Sequence, residues 1–203
     1  MCANCIFCEK SYLYERIIAE TNNYYVVATL GQISNGGYLL PIPKNHVPCI
    51  AQIVSPEPFN IASLTDRLSA IIRAEYGCVP LIFEHGIVGK TINHAHIHLT
   101  SATHSPTDRI KRDFPNAKID SAEGWDEPAD TYLTSPEPCL LWQKSGSMTL
   151  SVYFNPLAPA QCWRIILADI IGRPERVNWQ NMDPKLDKQI WMETISRLEL
   201  YFK

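Results

Sequence analysis

The chain has 203 residues, of which 46% are hydrophobic and 19% charged, enough apolar material for a buried core and too much for a disordered chain. A formal net charge of −3 argues against a broad nucleic-acid surface or a polybasic membrane contact as the main activity, while leaving room for a local basic pocket that binds phosphate. No stretch is apolar for long enough to span a bilayer, and the first ten residues lack the charged start and apolar centre of an export signal, so the expected setting is the cytoplasm.

Three of the seven cysteines stand in the first eight residues, where Cys2, Cys5 and Cys8 form two overlapping Cys-x-x-Cys pairs. In a chain without an export signal this density reads as metal binding or free thiols, not as a disulfide framework. Two thiolates at this spacing reach one tetrahedral metal ion but make only half a site, so histidines from elsewhere have to complete it. Residues 10–22 carry a weak signal for a helical turn or coil. Tyr24–Thr29 is rich in aromatic and β-branched residues and reads as a strand. Leu30–Gly37 holds three glycines with Ser34 and Asn35 and reads as a turn. Tyr38–Ile42 reads as the next strand, ended by Pro43, with Lys44 and His46 just beyond; Lys44 is either a solvated lysine or a phosphate contact. Pro56–Tyr76 has apolar residues (Phe59, Ile61, Leu68, Ile71, Ile72) at helical spacing and predicts a long helix, with Gly77 as its C-terminal cap. Val79–Glu84 reads as a buried strand and Gly86–Asn93 as a turn whose glycines let the backbone approach an anion.

The most informative stretch is Asn93-His94-Ala95-His96-Ile97-His98-Leu99-Thr100, which places half of the six histidines at alternate positions. Alternation with period two predicts a strand with Ala95, Ile97 and Leu99 on one face and three imidazoles on the other. Cations packed side by side depress one another's pKa values, so the row is expected to stay mostly neutral, which suits metal ligation, nucleophilic attack or acid–base chemistry. An imidazole held in one tautomer by its neighbours has its other nitrogen free to attack.

Beyond Thr100, residues 101–138 are rich in Ser, Thr, Pro and Asp and read as a surface segment, with a short helix around Arg109, Lys111 and Arg112. Leu140–Gln143 and Met148–Phe154 predict a hairpin. Pro159–Ile171 predicts a helix stopped by Gly172 and Pro174, and Pro184–Tyr201 predicts a last helix with Ile190, Trp191, Ile195 and Leu198 on its apolar side. Gln161 and Arg164 are candidate substrate contacts, since an arginine fork matches a phosphate.

Two motifs in order, Gly37-Tyr38-Leu39-Leu40-Pro41-Ile42-Pro43-Lys44-Asn45-His46 and His94-Ala95-His96-Ile97-His98-Leu99-Thr100, resemble those of the histidine-triad (HIT) superfamily of nucleotide hydrolases and transferases. Phe83-Glu84-His85-Gly86 is similar to a bacterial branch of that superfamily, and the resemblance spans roughly residues 5–104. It implies an α+β fold with an antiparallel sheet crossed by a long helix, forming a core over residues 1–104. Residues 105–203 would then be a C-terminal extension of hairpin and helices, packed on the core in a single structural unit. It implies a structural zinc on Cys5, Cys8, His46 and His94, with Cys2 as a substitute ligand, and a homodimer. It also implies His96 as nucleophile on an α-phosphate, giving a nucleotidyl-histidine intermediate, with His98 and His94 orienting the site. Thr91 would support the leaving group, and Lys90 and Asn93 join Gln161 and Arg164 as candidate substrate contacts. The chain departs from the family in two places. Ala28–Gln32 has no carboxylate where many members carry one against the ribose, and Lys90-Thr91 replaces a glutamine and Ser/Thr in a turn about one residue shorter. The rival expectations are a phosphorylase with phosphate as acceptor, a zinc-stabilised nucleotide-binding protein without turnover, and a catalytic zinc held by the triad. In every reading the partner is a nucleotide-like small molecule, with no nucleic-acid polymer and no membrane.

Overall fold

The structure is a computed structural model that describes residues 5–53, 61–86, 89–102, 104–123, 125, 139–144, 147, 149–154 and 158–203. Cys2, Phe59 and Met148, which carry sequence expectations, lie outside these residues. The fold is α+β. Among the described residues eight antiparallel strands form one sheet: β1 (Ile17–Glu20), β2 (Tyr24–Ala28), β3 (Leu39–Pro43), β4 (Leu81–Glu84), β5 (His98–Thr100), β6 (Lys118–Glu123), β7 (Cys139–Lys144) and β8 (Thr149–Phe154), in the order β1-β2-β3-β5-β4-β7-β8-β6. The helices are α1 (Lys10–Leu13), α2 (Ile61–Tyr76), α3 (Thr107–Asp113), α4 (Cys162–Ile170) and α5 (Pro184–Leu198).

The expected long helix is α2. Its Leu64, Leu68, Ile71 and Ile72 share a core with Leu39, Ile82, Ile97 and Leu99 of the sheet and with Trp191 and Leu198 of α5. Gly77, at φ +65°, closes the helix with its N–H on the Arg73 carbonyl. The opposite face of the sheet is covered by Leu13 of α1 and by Trp163, Ile166 and Leu167 of α4, packed on Val27, Leu40, Phe83 and Leu140. Pairing of β4 with β7, Phe83 opposite Trp142, carries the sheet without a break from the N-terminal into the C-terminal half.

Two strands escaped the sequence reading. β1 is only four residues long and follows two short helical turns, so no alternation develops. β6, Lys-Ile-Asp-Ser-Ala-Glu, lies in the expected surface segment; it is the outer strand beside β8, where polar residues guard an edge against stray pairing.

The histidine row is a strand for less of its length than its alternation predicts. β5 begins at His98, whereas residues 94–97 run beside β3 without a full ladder. The reason is Pro41 and Pro43. Their nitrogens carry no hydrogen, so on this side β3 offers carbonyls alone. Pro41 accepts from the Ile97 N–H at 3.1 Å, and Pro43 accepts from the His94 ring at 2.8 Å. The alternation itself holds: Ala95, Ile97 and Leu99 enter the core under α2.

The C-terminal extension grips the turn between β2 and β3. Asp187 of α5, itself buried, accepts from the Gly31 and Gln32 N–H groups at 2.9 and 3.2 Å. Arg176 donates to the carbonyls of Ile33 and Ser34 and to Asn35 Oδ1 at 3.0–3.2 Å. Thr194 Oγ1 accepts from Gly37 N–H. No helix among the described residues is long and apolar enough to cross a membrane.

Candidate active site and metal centre

Cys5 and Cys8 come from the turn before α1, His46 from the segment after β3, and His94 from the start of the triad. Their ligand atoms all lie within 4.8 Å of one another. Cys5 Sγ is 3.3 Å from His94 Nδ1, Cys8 Sγ is 3.3 Å from His46 Nδ1, and Cys8 Sγ is 3.5 Å from His94 Nδ1. A tetrahedral centre with metal–sulfur bonds of about 2.3 Å and metal–nitrogen bonds of about 2.0 Å separates S from N by about 3.5 Å, so these three sulfur–nitrogen pairs already stand close to the spacing a bound ion needs. The His94 Nε2–H donates to the Pro43 carbonyl at 2.8 Å, which leaves the Nδ1 lone pair facing the thiols. The residues therefore fit a metal ion. Among the described residues this is the Cys/His/Asp/Glu group with metal-ligand spacing, and His96, His98 and His85 are not in it.

His96 turns away from this centre into a small cleft of about 80 Å³. Its Nδ1–H donates to the His94 carbonyl at 2.7 Å, an acceptor that fixes the tautomer and leaves Nε2 with its lone pair. Burial, then the charge of Lys90, pushes its pKa down to about 3, so the ring is neutral. His98 stacks on Phe83, with ring centroids 4.5 Å apart, and its Nδ1 is hydrogen-bonded to the Tyr38 hydroxyl at 2.7 Å. Burial holds His98 well below the ordinary imidazole value, with His96 and His85 adding to the effect.

Three polar atoms at this cleft are buried without a hydrogen-bond partner among the described residues: His98 Nε2, His85 Nδ1 and Gln161 Oε1. Leaving each unsatisfied costs about 1–3 kcal/mol, which a ligand with matching donors and acceptors would recover. Gln161 has φ +61°, the one non-glycine residue of positive φ among those described. It is held there by its N–H on the Gly89 carbonyl at 2.6 Å. Strain at a residue whose amide meets the cleft fits a binding role.

The remaining sequence candidates divide. Thr91 lines the cleft at its exposed rim, whereas Asn93 is exposed and not part of the lining. Lys90 lines the cleft, but its ammonium pairs with buried Glu84 at 3.2 Å and with the Pro48 carbonyl. Glu84 also accepts from the Ile50 N–H at 3.1 Å, so this ion pair pins the Gly86–Asn93 turn to the segment after His46. Arg164 is buried in the wall, yet its fork grips backbone carbonyls: Gly31 and Val177 at 2.8 Å and Arg176 at 2.7 Å. Lys44 lies on Glu20 at 2.8 Å, over the Tyr25 ring. Arg16, Tyr38 and Trp179 stand at or behind the cleft without a role read from the sequence, whereas His85, in the stretch Phe83-Glu84-His85-Gly86, was open to either a catalytic or a core role. A histidine one position before a glycine, in a turn leading to three more histidines, was the available signal for His85.

No protein-family model and no curated protein matches the chain. Among solved structures it is similar to a hypothetical protein from Leishmania major, at 22% identity and TM-score 0.43, covering 52% of this chain and 77% of the other.

Proposed function

We propose that the protein is a nucleotide hydrolase or nucleotidyl transferase of the histidine-triad kind, working through a nucleotidyl-histidine intermediate. The observation that carries the reading is His96: a buried, neutral imidazole whose Nδ1–H is committed to the His94 carbonyl, so that Nε2 meets a cleft rimmed by unsatisfied polar atoms. In the proposed first step the Nε2 lone pair attacks the α-phosphorus. The N–P bond forms as the bond to the leaving group breaks, and that group departs with the electron pair and takes up a proton. In the second step water, or another acceptor that the cleft admits, attacks the same phosphorus and frees the imidazole. His98 Nε2–H, with the ring steadied by the Tyr38 hydroxyl on Nδ1, donates to a phosphoryl oxygen, and Gln161 Oε1 accepts from a hydroxyl of the ligand. Thr91 stands at the rim for the leaving group.

Cys5, Cys8, His46 and His94 would hold zinc, the ion suited to two thiolates and two imidazoles. When bound, it ties the N-terminal turn to the start of the triad, and its four protein donors leave no position open for water. The His94 carbonyl that orients His96 is thereby anchored.

The test is to trap the intermediate. Wild type and His96→Ala are incubated with α-labelled nucleoside phosphoramidates and dinucleoside polyphosphates and quenched in acid, with metal content measured on the same samples. The expected result is label and turnover in wild type and neither in His96→Ala, which keeps its metal. Absence of label and turnover in wild type across the panel would refute the mechanism and leave a binding protein.

A further inference from the structure

One cation at the cleft has no task in the chemistry proposed above. Arg16, half-buried at the end of the helical turn before β1, lines the cleft beside Thr29 and Leu30. Its Nη1 donates to the Ala28 carbonyl at 3.0 Å and its Nη2 to the Tyr12 carbonyl at 3.2 Å. These bonds use two of the five N–H groups of a guanidinium and fix its plane; the other three have no protein acceptor among the described residues.

No carboxylate among the described residues stands at ion-pair distance from Arg16. The charges that act on it are Asp187 and Glu15. Asp187 is occupied by the Gly31 and Gln32 N–H groups, and Glu15 is exposed. Contrast the other two cations at the cleft: Lys90 is neutralised by Glu84, and Arg164 holds three carbonyls. The guanidinium is fixed at the Ala28 end of β2 and lines the same cleft as His96. Trp179, close to the backbone of Gly31, lines the same cleft with Ile6, Leu40 and Phe7, whose ring stands edge-on to His96 at 5.1 Å, and together they give it an apolar wall fit for a flat ring.

A partly desolvated, unpaired guanidinium with a fixed plane and free N–H groups is built to receive an oxyanion by charge-assisted hydrogen bonds. We propose that the Arg16 end of the cleft binds a second phosphate, so that the preferred substrate carries two phosphates: one reacting at His96 and one held by Arg16. The inference rests on the nucleotide reading above. The second phosphate has two chemical sources, the ribose (a 2′- or 3′-phosphate) or the 5′ chain (a β-phosphate), and the arms of the test separate them.

The experiment is calorimetric titration of wild type, Arg16→Gln and Arg16→Lys with 5′-monophosphates of adenosine and uridine. Each is matched with the 2′,5′-bisphosphate, the 3′,5′-bisphosphate and the 5′-diphosphate of the same nucleoside. The reading is the ratio of affinities, second phosphate present over absent, at low and high salt. Wild type is expected to prefer one class at least tenfold, with a preference that shrinks as salt rises. Arg16→Gln is expected to bring that ratio to near one, and Arg16→Lys to keep part of it. A wild-type ratio near one for all three classes overturns the inference, as does a preference that survives in Arg16→Gln. Should Arg16→Gln not fold, the wild-type ratio, its salt dependence and Arg16→Lys decide alone. The two proposals fail differently: monophosphate binding without any preference removes the second-phosphate site, whereas no nucleotide binding at all removes the nucleotide reading and the site with it.

Discussion

Asp187→Ala separates the role of the C-terminal extension from that of the histidine row. The carboxylate accepts from two buried backbone N–H groups, Gly31 at 2.9 Å and Gln32 at 3.2 Å, some 155 residues earlier in the chain. Hydrogen bonds to a charged acceptor contribute about 1.5–3 kcal/mol each, and a buried N–H left without a partner costs about 1–3 kcal/mol. These are two views of one loss, so truncation is expected to cost about 3 kcal/mol. For a chain of this size 1 kcal/mol moves the melting temperature by about 2–4 °C, which gives a fall of roughly 6–12 °C. Asp187→Asn keeps an acceptor oxygen at nearly the same place without the charge and is expected to lose less than half as much. Thermal denaturation followed by circular dichroism reads both. Asp187→Ala melting within about 2 °C of wild type, or Asp187→Asn as damaging as alanine, would refute the reasoning that these two bonds hold the turn.

Three further outcomes follow from the same geometry. Gly31→Ala places a methyl group 2.2 Å from Trp179 Cβ and 2.7 Å from its Cα, at a φ of +65°; a loss of about 2–4 kcal/mol is expected by urea denaturation, and wild-type stability would show that Trp179 does not pack there. His85 and His98 are held neutral, by burial first and neighbouring charges second. The unfolded chain therefore binds more protons than the fold below about pH 6.5, the ordinary imidazole value. The stability these groups contribute is complete above that pH and falls as pH drops through it, by up to about 1.4 kcal/mol per pH unit for each. Urea denaturation at pH 7.5 and 5.5 measures the slope, which His85→Gln should flatten by about one proton; an unchanged slope would place His85 in water. Cys8→Ser is expected to lower bound metal from about one ion per chain and to lower the melting temperature, read by elemental analysis and calorimetry; full metal content would exclude Cys8 as a ligand.

Local pattern made much of this protein legible in its sequence. The period of two through His94, His96 and His98 required one apolar and one imidazole face, and the apolar face is in the core. The spacing of Cys5 and Cys8 required that two thiols stand together, and the apolar stripe of α2 placed a helix on the sheet. These features arise from residues within a few positions of one another, where backbone geometry alone decides which side chains share a face. Only the tertiary structure decided where each long side chain spends its charge. Lys90 and Arg164 read as phosphate ligands because both are cations near a candidate site. Folding gave Lys90 a carboxylate six residues away and gave Arg164 a carbonyl from the opposite end of the chain. Arg16 carried no signal, since a guanidinium is marked only by the partners that folding denies it. The division of the triad was equally hidden. Pro41 and Pro43 withhold their N–H groups from residues 94–97, the Pro43 carbonyl turns His94 toward the thiols, and the His94 carbonyl turns His96 toward the cleft. The Pro43 carbonyl comes from a chain segment that sequence spacing does not join to the triad, and with the His94 carbonyl it separates three like residues into a candidate metal ligand, a candidate nucleophile and a histidine steadied by Tyr38.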